Sequence, residues 1–201
     1  MNLSVSTISY AHHQEKRRNQ GGVIWLTGLS GSGKSTLARG LEQLLVKENM
    51  RTFLLDGDQL RRGLCSDLGF CDQDRKENIR RTGEVAKLFA QADFLVLCAL
   101  ISPFHLERAQ VRDSCLQDEI SFLEIFVDAP LSVCEARDPR GLYARVRAGE
   151  IGEFTGIHSP YEAPRNPDLC LKTDLCSSSE ALQELHAFVQ KWLGTIGPRR
   201  K

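Results

Sequence analysis

No stretch of this 201-residue chain is apolar for long enough to cross a bilayer, and its seven cysteines contain no C-x-x-C pair. Net charge is missing too, because 26 basic residues balance 26 acidic ones. The first absence excludes a helical membrane span, which needs about 20 consecutive apolar residues. The second removes the ligand spacing of zinc ribbons and dithiol redox motifs. The third argues against a general nucleic-acid or membrane-surface binder, which draws its affinity from a basic excess. The cysteines are Cys65, Cys71, Cys98, Cys115, Cys134, Cys170 and Cys176. An odd number without paired spacing reads as free thiols in a reducing cytoplasm. Cys98 and Cys170 sit inside apolar strand patterns, where cysteine behaves as a small hydrophobe. Residues 1–20 are polar, carry His12, His13, Lys16, Arg17 and Arg18, and lack the apolar centre of a secretory signal. They read as a flexible arm, and residues 196–201 as a basic tail. No repeat, low-complexity tract or linker divides residues 21–195, so one domain is expected there.

What is present is a rhythm. Short apolar runs at Val23–Leu26, Phe53–Leu55, Phe94–Ile101, Phe122–Val127 and Leu169–Leu171 alternate with helical patterns near 34–48, 75–91, 104–118, 131–138 and 178–193. The runs are nearly continuous, as expected of strands buried on both sides. This predicts an α/β fold with a parallel sheet and helices on both faces. Residues 138–167 break the rhythm with Arg140, Arg145, Arg147 and Arg165, four glycines, and Pro160, Pro164 and Pro167. A basic, glycine-punctuated insertion of that length reads as a mobile lid.

Gly28-Leu29-Ser30-Gly31-Ser32-Gly33-Lys34-Ser35, followed by Thr36, matches G-x-x-x-x-G-K-[ST]. The context is right as well: a strand pattern precedes it, and a helix with Leu37, Leu41, Leu44 and Leu45 on one face follows. Backbone N–H groups and the helix N-terminus would cradle the phosphates of ATP. Lys34 would reach the β- and γ-phosphates, and the Ser35 hydroxyl would ligate Mg²⁺. Ligands of such a sheet lie beyond the carboxyl ends of its strands. There the sequence places Asp56-Gly57-Asp58 with Arg61 and Arg62, then Ile101-Ser102-Pro103, then Asp128-Ala129-Pro130. Asp56 and Asp58 could hold Mg²⁺ through water or accept a proton from a hydroxyl, although Asp-Gly-Asp is also a good turn. Asp128 reads as a turn or cap. Arg75 and Asn78 fall one helical turn apart and could hold an anionic second substrate. Arg80 and Arg81 are balanced between that role and surface ion pairs. The Asn-Lys-x-Asp guanine motif is absent, as are H-R-D and D-F-G, which excludes a protein kinase. A P-loop kinase for a small molecule remains.

The chain resembles the adenylylsulfate kinase family. The blocks that carry the resemblance include Trp25–Thr36, Leu55–Asp58, Asp67–Phe70, Asp74–Arg81, Gly83–Phe89, Ile101–Pro103, Gly141–Tyr143, Arg147–Ile151, Phe154–Ile157 and Ser159–Pro164, in the family's order over roughly residues 21 to 175. The resemblance implies ATP-dependent phosphorylation of the 3′-hydroxyl of adenosine 5′-phosphosulfate, with Mg²⁺, in sulfate assimilation. It implies that Phe70 and Phe154 sandwich the acceptor's adenine, and that Arg61, Arg75 and Asn78 hold its phosphosulfate end and ribose. Ile101 and Ser102 would also contact the acceptor, and Asp56 would line its site. Asp58 would orient or deprotonate the 3′-hydroxyl. Arg137, Arg140 and Cys176 would lie near the lid and the ATP base. For Ser102 the resemblance leaves two roles open, acceptor contact and phosphorylated intermediate. The chain departs from the family's pattern at Gln59, Ala99-Leu100, Arg140 and Ala144–Arg147. No second catalytic domain fits after residue 175, so any ATP sulfurylase is expected as a separate partner; a homodimer is the expected assembly. The alternatives are a related kinase for another acceptor and a silent nucleotide-binding protein.

Overall fold

The computed structural model describes residues 21–195, so the arm at 1–20 and the tail at 196–201 lie outside the described residues. Among the described residues, five strands form one sheet: β1 (Gly22–Thr27), β2 (Thr52–Asp56), β3 (Leu95–Ala99), β4 (Ser121–Asp128) and β5 (Leu169–Lys172). Their order is β2-β3-β1-β4-β5, and every pair is parallel. The helices are α1 (Lys34–Lys47), α2 (Gly57–Leu60), α3 (Asp72–Gln91), α4 (His105–Gln117), α5 (Leu131–Arg137), α6 (Leu142–Arg147) and α7 (Ser178–Thr195).

Strand side chains point alternately to the two faces of a sheet. On one face Ile24, Leu26, Leu97 and Ile125 meet Leu37, Leu41 and Leu45 of α1 and Leu185 and Val189 of α7. On the other, Val23, Trp25, Val96 and Cys98 meet Ile79, Ala86 and Ala90 of α3 and Val111 and Cys115 of α4. Both faces of β1 are therefore covered, and all six of its residues are buried. Each fully buried Leu or Ile in these layers contributes about 1.5–3 kcal/mol. The edge strands differ. β2 exposes Phe53, β5 exposes alternate positions, and Cys170 is one of them. The expectation that Cys170 is a buried hydrophobe is thus corrected: an edge strand has only one neighbour and one well-covered face. Cys98, in central β3, is buried, and burial pushes its thiol well up from the ordinary value.

The segment at 138–167 is more than a loop. It contains α6, and Tyr143, Val146 and Phe154 form a small core with Ala129, Cys134 and the flanking Leu29. Six residues are too few to register a helical period, so the sequence pattern missed this helix.

Candidate active site

The phosphate loop forms where β1 stops. Gly28 has φ +151°, and a Cβ there would lie 2.4 Å from the Val127 carbonyl oxygen. Gly33 has φ +107° and caps α1, so two of the loop's glycines are dictated by backbone shape or close approach. The loop's carbonyls are held by protein donors. Lys34 Nζ donates to Leu29 O at 2.7 Å, Tyr143 Oη to Ser30 O at 2.9 Å, and Thr173 Oγ1 to Ser32 O at 2.8 Å. Carbonyls turned toward protein donors do not repel a phosphate in the cleft. Lys34 is only 8% exposed. Burial pulls its ammonium down to about 7; Cys134 and Asp56 oppose that shift and Arg140 adds to it.

In front of this loop lies a cleft of about 1100 Å³. Its walls carry Ser30–Thr36, Asp56, Asp58, Arg61, Phe70, Arg75, Asn78, Ile101, Ser102, Arg137, Arg140, Phe154 and Cys176. Gly28 and Leu29, expected as ATP contacts, do not line it. Gly28 is wedged against β4, and the Leu29 side chain packs into the small core around Tyr143, Val146 and Phe154.

Asp56 and Asp58 are treated differently by the fold. Asp56 is buried; its Oδ1 accepts from the Asp58 amide at 3.0 Å and caps α2. Its Oδ2 accepts no hydrogen bond, and Arg39 is its ion-pair partner at 3.6 Å. Asp58 is half-exposed and paired with Arg140, whose Nη2 also reaches Ser30 Oγ at 3.4 Å. Arg140 therefore bridges the phosphate loop and the carboxylate across the cleft. Ser35 and Asp56 supply oxygen ligands of the hard kind that suits Mg²⁺, and Asp56 Oδ2, which accepts no hydrogen bond, is such an oxygen at the cleft wall.

The other end of the cleft is aromatic and basic. Phe70 is 54% exposed, with the Arg61 guanidinium 4.3 Å above its ring. Phe154 is buried, edge-on to Tyr143 at 4.9 Å. Arg75 ties the two loops together. Its Nε donates to Phe70 O at 2.6 Å, Nη1 to Thr155 Oγ1 at 2.7 Å and Nη2 to Glu153 O at 3.0 Å. Asn78 Nδ2 is buried with no protein partner. Among the described residues, Ser32 Oγ, Asp56 Oδ2 and Asn78 Nδ2 are three of four such orphans, and all three residues line this cleft. Orphaned buried polar atoms in a cleft are what a polar ligand satisfies. Arg80 and Arg81 pair with Glu77, and Arg81 also with Asp67, so they belong to the surface and not to the cleft.

Ser102 is buried at the end of the turn after β3, with φ +40°. Its Oγ accepts from Trp25 Nε1 at 3.1 Å and donates to Thr27 Oγ1 at 3.0 Å. Arg137 lies across the mouth of the phosphate loop, bonded to Thr173 and, at 3.4 Å, to Gly31 O. Cys176 is partly exposed on the wall of the same cleft, its thiol against Lys172 O at 3.4 Å. Sequence reasoning missed Arg39, Thr173, Tyr143 and Thr155. Thr173 has a sequence signal: it directly follows β5, at the carboxyl end of a strand, where ligands of such a sheet lie.

Comparison with known proteins gives a consistent result. The family model described as adenylylsulphate kinase matches residues 20–172. The adenylyl-sulfate kinase of Acaryochloris marina is 50% identical over 186 residues, covering 92% of this chain and 90% of the relative. That of Aeromonas salmonicida is 62% identical over 149 residues, 74% of this chain and 75% of the relative. The structure of the Mycobacterium tuberculosis APS kinase in complex with AMPPNP and APS superposes with a TM-score of 0.82 at 49% identity, covering 85% of this chain and 98% of that one.

Proposed function

The chain belongs to the adenylylsulphate kinase family, and from that premise we propose how its residues move the γ-phosphoryl group of ATP onto the 3′-hydroxyl of adenosine 5′-phosphosulfate. The enzyme is a phosphotransferase of sulfate assimilation. The observation that carries the residue assignment is that one cleft holds the phosphate loop at one end and the Phe70, Arg75, Asn78 and Phe154 set at the other.

ATP enters over Gly31–Thr36. Lys34 leaves the Leu29 carbonyl for the β- and γ-phosphates, whose charge restores its proton. Arg137, Thr173 and Cys176 flank the nucleotide. Ser35 and Asp56 would hold Mg²⁺, which screens the charge of the phosphates when bound. The acceptor's adenine lies between Phe70 and Phe154, and Arg61, Arg75 and Asn78 hold its ribose and phosphosulfate. Residues 138–167 act as a lid within the single kinase domain at 21–195, and closure over the acceptor excludes water.

Asp58 gives up Arg140 when substrates arrive. It then orients the 3′-hydroxyl and takes its proton as the oxygen attacks the γ-phosphorus and ADP leaves. Arg140 moves onto phosphate charge. Transfer is direct. The Ser102 hydroxyl spends its proton on Thr27 and accepts from Trp25, which suits a residue that shapes the acceptor turn and not a nucleophile. We further propose a cytoplasmic homodimer served by a separate ATP sulfurylase, with sedimentation velocity as the check on assembly.

A coupled assay of ADP release tests the reading. ADP should appear with ATP and adenylylsulfate together, and other small hydroxyl or nucleotide acceptors should give a small fraction of that rate. Faster turnover with a different acceptor would displace the assignment.

A further inference from the structure

The lid's return to the sheet is stitched into a buried polar network that the reaction scheme above does not use. Thr27, the last residue of β1 and the one before the phosphate loop, stands at its centre. Its hydroxyl donates to Ile101 O at 2.8 Å, lies 3.0 Å from Ser102 Oγ and 3.0 Å from Tyr161 Oη. A threonine hydroxyl has one proton and two lone pairs. With its proton on Ile101 O, it accepts from both Ser102 and Tyr161. Ser102 in turn accepts from Trp25 Nε1. The proton order is then fixed throughout: Trp25 to Ser102 to Thr27 to Ile101, with Tyr161 entering at Thr27. Tyr161 must act as a donor there, and burial raises its phenol, keeping it protonated.

Arg108 fastens the same turn from the other side. It is 2% exposed, and each guanidinium nitrogen serves a different segment. Nε meets Glu124 Oε1 on β4, Nη1 meets Ser102 O and Nη2 meets Glu162 O, all at 2.7 Å. The Glu162 amide donates to Pro103 O at 2.8 Å, and its carboxylate accepts from the His105 amide at 2.7 Å. The residue so enclosed, Ser102, has φ +40° without being glycine. Such a conformation persists only where the surroundings over-determine it, and it concentrates at functional sites.

We propose that Arg108 and Tyr161 are positioning residues for the phosphoryl acceptor: they lock the lid's return segment, the Ile101–Ser102 turn and the entry to the phosphate loop into one rigid unit. The inference rests on the reading of Ile101–Ser102 as an acceptor contact. The ATP subsite depends on it less, because the loop's carbonyls are held separately by Tyr143 and Thr173. Neither residue lines the cleft.

Steady-state kinetics of Tyr161→Phe and Arg108→Lys, with melting temperatures, test this. Tyr161→Phe keeps the ring stacked on Phe126 and removes only the hydroxyl. It should raise KM for adenylylsulfate about tenfold, consistent with one lost buried hydrogen bond, while KM for ATP stays within about twofold. Arg108→Lys keeps a charge opposite Glu124 but cannot span three acceptors, and should raise the acceptor KM further. In a Ser102→Ala background, Tyr161→Phe should add only about twofold, since the two hydroxyls act through Thr27. Unchanged kinetics, an equal rise in both KM values, independent effects in the double variant, or unfolding of Tyr161→Phe would each overturn the proposal. Wild-type protein inactive on adenylylsulfate would instead remove the underlying reading.

Discussion

The donor half of the cleft is shaped by backbone, and the acceptor half by long side chains. Around the phosphate loop the geometry is set by glycine conformations, by strand β1 buried on both faces, and by short bonds to loop carbonyls. Around the acceptor it is set by Arg61, Arg75, Arg140 and Phe154, which reach in from α2's end, from α3 and from the segment at 138–167. A site made of backbone is preorganised for any triphosphate. A site made of extended side chains can open, close and discriminate, and the bridge from Arg140 to Asp58 holds the proposed catalytic carboxylate in its ion-paired form until ligands compete for both partners.

Breaking the donor half should have the largest effect. Lys34→Ala should lower kcat on the order of 10²–10³-fold or more, with the circular dichroism spectrum unchanged. Near-normal turnover would contradict the role of that ammonium. Asp58→Ala should lower kcat about 10²-fold while the Kd for ATP, measured by calorimetry, changes less than about threefold. A variant that loses ATP affinity alone would make Asp58 a metal-site residue. On the acceptor side, Phe154→Ala should raise the KM for adenylylsulfate about tenfold and also cost about 3–5 kcal/mol of stability, because the ring belongs to the small core with Tyr143 and Val146 as well as to the cleft. An unchanged acceptor KM would count against the aromatic slot.

The donor half can also be probed by pH. Lys34 has a folded value of about 7, below the ordinary value of 10.5. Between those values the unfolded chain binds the extra proton, so the Lys34 contribution makes the ligand-free enzyme more stable as pH rises from about 7 toward 10.5. ATP binding needs the charged form, so its affinity should fall by up to about tenfold per pH unit over the same window. Titrating Kd for ATP between pH 6 and pH 9 checks this (values spanning the pKa of about 7). A flat profile would place the ammonium in a more solvated setting.

The contrast between the halves also explains what was legible in the sequence. The phosphate loop could be read because strand, glycine turn and helix carry periods of their own, and β1 and α1 lie where those periods put them. Helix α6 left too short a trace. Cys170 was misjudged because whether a strand lies at an edge is a property of the whole sheet. Arg75 was singled out from its spacing with Asn78, but nothing local could reveal its acceptors, which lie 5, 78 and 80 residues away. Phe70 and Phe154 were named together only through resemblance. Arg108 carried no signal, since a buried arginine in an otherwise charged helix looks like any surface arginine, and Tyr161 lies in a block that carries the resemblance but had no role attached to it.

The central claim concerns the approach of two atoms, and a crystal structure with a non-hydrolysable ATP analogue and adenylylsulfate bound together tests it most directly. The account predicts the 3′-oxygen facing the γ-phosphorus beside Asp58, with Arg140 moved from Asp58 onto phosphate oxygens. A 3′-oxygen turned away from the γ-phosphorus, with Asp58 still paired to Arg140, would contradict it.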